Sequence, residues 1–422
     1  MNEDSTVVRL RQPEEIDDPL TVVLRSGAHR LLAQAIEAEV AAFLALMADR
    51  QLGDGRARFV RHGHGPARTI QTGIGPIEVQ RVKVRDRDPT GTGERVRFTS
   101  AILPRWCRRS RSIDALLPVL DLRGISTGDF QEALAALLGK EAPNLSPSVL
   151  ARLRGEWQAD YERWQQRDLS ARRYVYIWAD GIYLQARMEP QAECMLVIIG
   201  ALPEGKKELV GFQVGTRESA QSWRELLVGL KARGLAMAPE LAVGDGALGF
   251  WKALEEAFPS VRHQRCWVHK AANVLNKLPK SLQANARQDL REIWLAPDRA
   301  TAEAALATFA AKYAPKYDRA VACLVKDREA LLTFFDFPAE HWDHLRSSNP
   351  IESVFATVRH RTVRTKGALS QETARLMVFK LVIAAARSWR RLKGENQLPK
   401  VIEGVTFKDG VEVPTADAKD AA

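Results

Sequence analysis

A chain of 422 residues with 45% apolar content has room for two to four folded domains, and no apolar run approaches the ~20 residues a membrane helix needs. The excess of 62 Lys+Arg over 52 Asp+Glu gives a net charge of +10, which favours a polyanionic partner, most simply nucleic acid, over an acidic small molecule. Cys107, Cys194, Cys266 and Cys323 are too far apart for a disulfide framework, which points to a reducing cytoplasm, as does the acidic start Met1-Asn-Glu-Asp-Ser5 without a signal-peptide core.

Residues 1–20 are polar and acidic and read as loose. Residues 28–49 carry Leu31, Leu32, Ala35, Ile36, Val40, Phe43, Leu44 and Met47 at helical spacing. Residues 50–66 read as loop, and 68–84 as a hairpin turning at Gly-Ile-Gly-Pro, with a slip in alternation between Val79 and Val82 that predicts a bulge. A basic cluster follows, with Arg105, Arg108, Arg109 and Arg111. Helical patterns then run through Ile113–Leu120, through Phe130–Leu138 after the Gly124 break, and from Ser146-Pro147 through Trp157 with Arg152 and Arg154 on another face. Two short helices across a glycine turn and a third behind them resemble a helix-turn-helix unit, although a plain helical bundle with solvated arginines fits the same pattern.

From residue 170 the texture changes to strands. Tyr174-Val-Tyr-Ile-Trp-Ala-Asp180 is aromatic and β-branched on both faces, which predicts a buried central strand ending at Asp180-Gly181, with Tyr174, Tyr176 and Trp178 on one side. Tyr183–Arg187 and Glu193–Ala201 continue as a meander, Ser219–Gly234 as an amphipathic helix, and Leu241–Asp245 as a second strand ending in an aspartate. Val261–Cys266 follows as a strand. Residues 271–345 read as helical almost throughout, then 349–366 and 370–393, and the last residues read as disordered.

A carboxylate at the end of a buried strand must be hydrated, paired or metal-bound, because an isolated buried charge is too costly. Asp180 and Asp245 stand at two such ends. Glu352 follows the helix start Ser348-Asn349-Pro350, where Asn349 reads as the N-cap and Glu352 as a capping-box acid. The helix dipole there would also keep Glu352 ionised for a cation. Three carboxylates so placed suit two-metal phosphoryl transfer with Mg²⁺, and DNA as substrate would account for the basic charge. Residues 244–249 also satisfy G-x-G-x-x-G, the mark of a dinucleotide-dependent oxidoreductase. The region about 20 residues on is basic rather than acidic, however, and Asp245 would repel a pyrophosphate. A DNA-binding regulator without catalysis, using only the 105–157 region, is the other reading.

The segments Trp178-Ala-Asp-Gly-Ile-Tyr183, Val243-Gly-Asp-Gly-Ala247, Arg265-Cys-Trp-Val-His-Lys270 and Ser348-Asn-Pro-Ile-Glu-Ser353 occur in this order, and together they resemble the mutator-type transposases of bacterial insertion sequences, within the DDE superfamily. The resemblance covers roughly residues 60–400. It implies an RNase H-like core holding Asp180, Asp245 and Glu352 around Mg²⁺ or Mn²⁺, interrupted by a helical insertion before the glutamate. It implies cleavage at the element's terminal repeats, strand transfer into target DNA, and a homo-oligomer on DNA. Cys266 and His269 match the family's Cys-x-x-His element and are expected in the shell of the active site, contacting DNA or orienting a metal ligand. Zinc is disfavoured, because no second closely spaced pair completes a site.

The expected fold class is thus α/β: an RNase H-like catalytic core with a helical insertion, preceded by an N-terminal α+β region containing a helix-turn-helix-like unit. The expected division is 1–104, helix and hairpin; 105–168, helical and DNA-binding; 170–270, first part of the core; 271–345, helical insertion; 346–395, C-terminal helices of the core; and 396–422, tail. Arg105, Arg108, Arg109, Arg152 and Arg154 are expected to touch the terminal repeats. Arg359, Arg361, Arg364 and Lys366, and behind them Arg387, Arg390, Arg391 and Lys393, are expected to touch phosphates near the active site.

Overall fold

The computed structural model describes residues 19–88, 96–104, 107–110, 113, 147–184, 192–215, 217–246, 248–364 and 370–414. The chain divides into two compact units, Met1–Leu153 and Arg154–Ala422. Among the described residues no helix is long and apolar enough to cross a membrane.

In the first unit a long helix α1 (Pro19–Leu46) lies on the hairpin of β1 (Phe59–Thr72) and β2 (Gly75–Asp86). Ile36 and Val40 pack against Ile70, Ile77, Val79, Val82 and Leu103. α1 begins nine residues earlier than the periodicity predicts, because Leu20, Val22, Val23 and Leu24 are exposed and no buried stripe marks that turn. β1 likewise starts inside the expected loop, where Arg61, His62, Gly63 and His64 are all exposed and show no alternation. The irregularity falls on β1, around His64, opposite the expected slip in β2. Residues 107–110 run alongside β1: Gln71 N–H donates to the Arg108 carbonyl at 2.9 Å and Ser110 N–H to the Gln71 carbonyl at 2.8 Å. They therefore belong with the hairpin, and not with the expected 105–168 helical domain. The two helical patterns between 114 and 146, and with them most of the helix-turn-helix expectation, lie outside the described residues.

The third helix of that pattern, α2 (Pro147–Gln165), crosses the boundary between the units. Its second half is part of the second unit. Tyr161 meets Phe379 edge-on at 5.2 Å and Trp164 meets it tilted at 5.3 Å between ring centroids, and Trp157 is buried.

The second unit is built on a five-stranded mixed sheet of β3 (Tyr176–Leu184), β4 (Glu193–Ala201), β5 (Lys207–Gly215), β6 (Leu241–Gly244) and β7 (Arg262–Arg265), in the order β5-β4-β3-β6-β7. β3 pairs antiparallel with β4, which pairs antiparallel with β5, while β6 and β7 continue parallel to β3. β3 is central and buried on both faces, as its composition predicts. One face packs on α3 (Ala220–Ala232) and α4 (Leu248–Ala257) through Trp223, Leu226, Leu230, Phe250 and Leu254. Tyr174, which precedes the strand, joins this face instead of the Tyr176–Trp178 face, since alternation binds only within the strand. On the other face the Tyr176 hydroxyl meets His341 Nδ1 at 2.8 Å and the Trp178 indole N–H donates to the His344 carbonyl at 2.9 Å.

After β7 the described residues are helical: α5 (Trp267–Leu275), α6 (Lys280–Trp294), α7 (Arg299–Val325), α8 (Arg328–Leu332) and α9 (Trp342–Leu345), with short 3₁₀ turns between the last two. α10 (Asn349–Arg364) and α11 (Gln371–Ala386) complete the second face of the sheet. Part of the expected tail is regular structure. α12 (Leu398–Ile402) and the β8–β9 hairpin (Phe407–Lys408, Val411–Glu412) bury Leu398, Val401 and Phe407. Three apolar anchors among polar residues were too sparse to show a period.

Candidate active site

Asp180 does not end its strand. β3 continues through Gly181 to Leu184, paired with β4 at Asp180↔Val197 and Gly181↔Leu196. What ends there is the other neighbour: the β3–β6 ladder stops at Ala179↔Gly244. Asp180 therefore sits one residue past the end of β6, on the face it shares with Tyr176 and Trp178. The residue is 8% exposed, and its carboxylate accepts from the Gly181 N–H at 2.8 Å. Burial pushes its pKa up to about 6, the charges of Asp245 and Glu352 add to the rise, and that of His269 opposes it.

Asp245 is the residue after β6. Two side chains grip its backbone carbonyl: the Trp251 indole N–H donates at 2.8 Å and the Arg265 guanidinium at 2.6 Å. Arg265 also lies over the Trp251 ring, 4.9 Å from its centroid. The turn carrying Asp245 is thus clamped from α4 and from β7. Two of the glycines around it serve packing. A Cβ at Gly249 would meet Ala220 N at 2.7 Å, and one at Gly244 the Trp251 ring at 3.2 Å. Close packing thus accounts for the first and last glycines of G-x-G-x-x-G without a nucleotide, while Gly246 is open.

Glu352 enters from α10. The Ser348 carbonyl accepts the N–H groups of Ile351 and Glu352, so Ser348 caps the helix instead of Asn349. This moves Glu352 out of the capping-box position. Its carboxylate accepts from the Ser348 hydroxyl at 3.0 Å, not from a backbone N–H. Ser348, fully buried, also places its N–H and hydroxyl each 3.3 Å from the Cys266 sulfur. Cys266 N–H donates to the Gly244 carbonyl at 2.8 Å, and Trp267 N–H to the Arg346 carbonyl at 2.9 Å. These bonds tie the end of β7 to the ends of β6 and of the segment that launches α10. His269 Nδ1 is 3.9 Å from Glu352 Oε1. A hydrogen bond with Cys266 pushes the imidazole up to about 9 despite its burial, and the charges of Cys266, Asp180 and Asp245 act in the same direction.

Cys266, His269 and Glu352 therefore gather, their ligand atoms all within 4.8 Å of one another. Asp180 and Asp245 are not in that tight trio; they reach it through their charges. The trio's soft sulfur and nitrogen donors would suit zinc, whereas Mg²⁺ or Mn²⁺ takes carboxylate oxygens. Asp180 fits the harder ion: a buried carboxylate that forms no ion pair among the described residues, beside further carboxylates.

One acidic group was missed in the sequence. Glu218 stands just before Ser219, the N-cap of α3, where an acid is commonplace. Burial pushes its carboxyl up to about 7, helped by the charges of Asp245 and Asp180. Its only mark in the sequence is its place after a strand of the same sheet.

The basic residues divide. Arg108 is exposed beside β1, Arg109 is half-buried there, and Arg154 is exposed on α2. Arg359 is exposed on α10, as are Arg387 and Arg390 beyond α11. Arg391 pairs with Glu395 at 3.4 Å and Lys393 with Asp343 at 3.5 Å. Arg105 and Lys366, and the side chains of Arg152, Arg361 and Arg364, lie outside the described residues.

Residues 2–391 match the family model described as Transposase, Mutator family. The transposase for insertion sequence element IST2 of Acidithiobacillus ferrooxidans is 50% identical over 288 residues, covering 67% of this chain and 95% of its own. The transposase for insertion sequence element IS6120 of Mycolicibacterium smegmatis is 47% identical over 302 residues, covering 71% and 93%. A solved structure of the HTLV-2 integrase catalytic core domain in complex with magnesium aligns with 30% of this chain and 90% of its own at 15% identity; its TM-score of 0.17 carries no weight. Matching a family model along nearly its whole length and close relatives along most of theirs, this chain belongs to the Mutator family of transposases.

Proposed function

We propose that this transposase cuts DNA at the ends of an insertion sequence and joins the freed strands to target DNA, with Asp180, Asp245 and Glu352 as the catalytic, metal-holding carboxylates. The observation that carries this reading is the placement of both aspartates one residue beyond the end of the β3–β6 ladder, with Glu352 brought to Asp180 by α10 closely enough that both other charges act on it. The strand order, written from β3 as 3-2-1-4-5 with the second strand antiparallel, supports an RNase H-like core. The helices between β7 and α10 support a helical insertion.

When bound, Mg²⁺ or Mn²⁺ supplies Lewis-acid stabilisation of the reacting phosphate and a more reactive attacking oxygen. The chain's own residues do the rest. Asp180 and Asp245 offer carboxylate oxygens from a rigid sheet edge, and the Arg265–Trp251 clamp keeps Asp245 there. Ser348 and Cys266 hold the start of α10 in register with that edge. His269, cationic at neutral pH, offsets part of the carboxylates' repulsion. Arg359, Arg387 and Arg390 bind phosphate on the same unit, and the first unit reads the terminal repeat.

The test is incubation of a duplex carrying an element end with the protein and Mg²⁺. The wild type should nick at the element boundary, and Asp180→Asn should lose at least about a thousandfold in rate while binding the duplex as tightly. Undiminished cleavage by Asp180→Asn sinks the assignment. A non-catalytic regulator would show no cleavage by either protein, but it leaves a buried Asp180 acted on by two further carboxylates unexplained.

A further inference from the structure

We propose that Cys266, His269 and Glu352 form a zinc site, and that Zn²⁺ bound there silences the enzyme by taking Glu352 from Asp180. The site stands on its own geometry; its inhibitory effect rests on the reading of Glu352 given above.

Two ligands are close in the chain and the third comes from far along it. Cys266 is the N-cap of α5 and His269 lies in the first turn of that helix, so the two are neighbours. The Cys266 side chain caps no N–H of α5; its sulfur turns to Ser348 instead. α10 then supplies Glu352, a partner that spacing in the sequence does not reveal. One ligand atom from each residue lies within 4.8 Å of the other two, and His269 Nδ1 is 3.9 Å from Glu352 Oε1. Tetrahedral zinc, with sulfur at about 2.3 Å and nitrogen or oxygen at about 2.0–2.2 Å, sets its ligands roughly 3.4–3.6 Å apart. The trio therefore needs to close by no more than about 1.4 Å. The side chains of His269 and Glu352, 34% and 31% exposed, have the freedom to do so and leave the ion a way in from solvent. Water can take the fourth position.

Ser348 supplies the support that such ligands need. It is fully buried, and its hydroxyl is 3.0 Å from Glu352 Oε1, 3.3 Å from the Cys266 sulfur and 3.5 Å from His269 Nδ1. Its backbone N–H is a second donor to the sulfur, also at 3.3 Å. Two donors on one sulfur favour the thiolate, which is the form that binds metal. Ligation also needs the neutral imidazole, so protons leave for solvent as the ion enters. Sulfur and nitrogen donors select zinc over Mg²⁺, which demands oxygen.

The experiment titrates the full chain with Co²⁺ as a spectroscopic stand-in for Zn²⁺, since thiolate-bound Co²⁺ shows charge-transfer absorption. The wild type should develop that band at one equivalent, Zn²⁺ should bleach it, and excess Mg²⁺ should not. Cys266→Ser should lose the band, whereas Cys107→Ser and Cys323→Ser should keep it. His269→Gln, at a partly exposed residue, keeps the test open where Cys266→Ser does not fold. It should weaken Co²⁺ binding by at least the roughly hundredfold that loss of an outer-shell partner can cost. No band in the wild type, an unchanged band in Cys266→Ser, or unchanged affinity in His269→Gln overturns the site. Cleavage of an element-end duplex in Mg²⁺ then tests the effect. One equivalent of Zn²⁺ should slow the wild type at least about tenfold and leave His269→Gln at whatever rate it shows without zinc. Equal slowing of both proteins, or of neither, overturns the inhibitory role while the band upholds the site. A wild type that never cuts overturns the catalytic reading, and the inhibitory role with it; the cobalt spectrum still judges the site.

Discussion

Asp180 shows how a site can oppose the stability of the fold that carries it. Its pKa rises from an ordinary 3.8 to about 6, chiefly through burial. A raised acid favours the folded state while it is protonated, below pH 3.8, and that contribution is lost as pH rises through about 6. The difference is worth about 3 kcal/mol at 1.36 kcal/mol per pH unit. In chelator, Asp180→Asn should therefore match the wild type near pH 3.8 and exceed it in stability by an amount of that order above pH 6. Denaturant melts across this range check it; a constant difference at every pH would show that burial does not hold the carboxyl where the geometry says. The same residue shows what was legible. The three carboxylates proposed here, Asp180, Asp245 and Glu352, stand out in the sequence because each stands where a pattern changes: an apolar strand meets Asp-Gly, or Asn-Pro opens a helix. Glu218 does not, because an acid before a helix needs no explanation in one dimension. Only the folding of α3 against β3 brings it to Gly181.

Among elements, the motif Arg265-Cys-Trp-Val-His-Lys270 is a joint more than a reagent. Arg265 clamps the turn of Asp245, Cys266 reaches Ser348, and the Trp267 indole donates to the Leu331 carbonyl at 2.9 Å. Lys270, 5% exposed, pairs with Asp327 and donates to the Cys323 carbonyl at 3.0 Å. Removing one partner of such a pair leaves a buried charge, so Asp327→Ala should destabilise the fold by about 3–5 kcal/mol, while Lys270→Met with Asp327→Leu should recover most of it. Equal loss in single and double variants, by chemical denaturation, would contradict the pairing. Ser348→Ala makes a different point. It frees Glu352 while leaving the DNA surfaces intact, so it should lower kcat about tenfold or more without changing duplex affinity. A change in affinity alone would remove Ser348 as a positioning residue. Elements with one dense apolar stripe or run were legible: β3, α3, β6 and the helices after β7. The beginnings of α1 and β1 and the 398–412 tail were not, since their contacts are sparse or their faces exposed. The strand through Gly181 was misread as two because Asp-Gly reads as a turn, when only its neighbour β6 stops.

At the scale of the whole molecule, two tasks must be shared out. Strand cleavage is indifferent to base identity, whereas finding an element's end requires base readout. Phosphate contacts fix position and carry most of the salt dependence; base contacts carry discrimination. The net charge of +10 serves the first task. Arg359, Arg387 and Arg390 are exposed on the second unit, and the neighbouring pairs of Arg391 and Lys393 are exposed too, so those can exchange a carboxylate for a phosphate at little cost. Replacing Arg359, Arg387 and Arg390 by alanine in the full chain should reduce the slope of log affinity against log salt by up to roughly 3, at about 0.9 per phosphate contact. The loss should be the same for terminal-repeat and scrambled duplexes. Replacing Arg105, Arg108 and Arg109, which belong to the first unit, should instead narrow the gap between the two duplexes. Fluorescence anisotropy over roughly 50–200 mM salt separates the outcomes. If the Arg359 set alters discrimination, or the Arg105 set lowers both affinities equally, then reading and holding are not divided between the two units, and the first unit's role must be sought in assembly of the protein on its DNA.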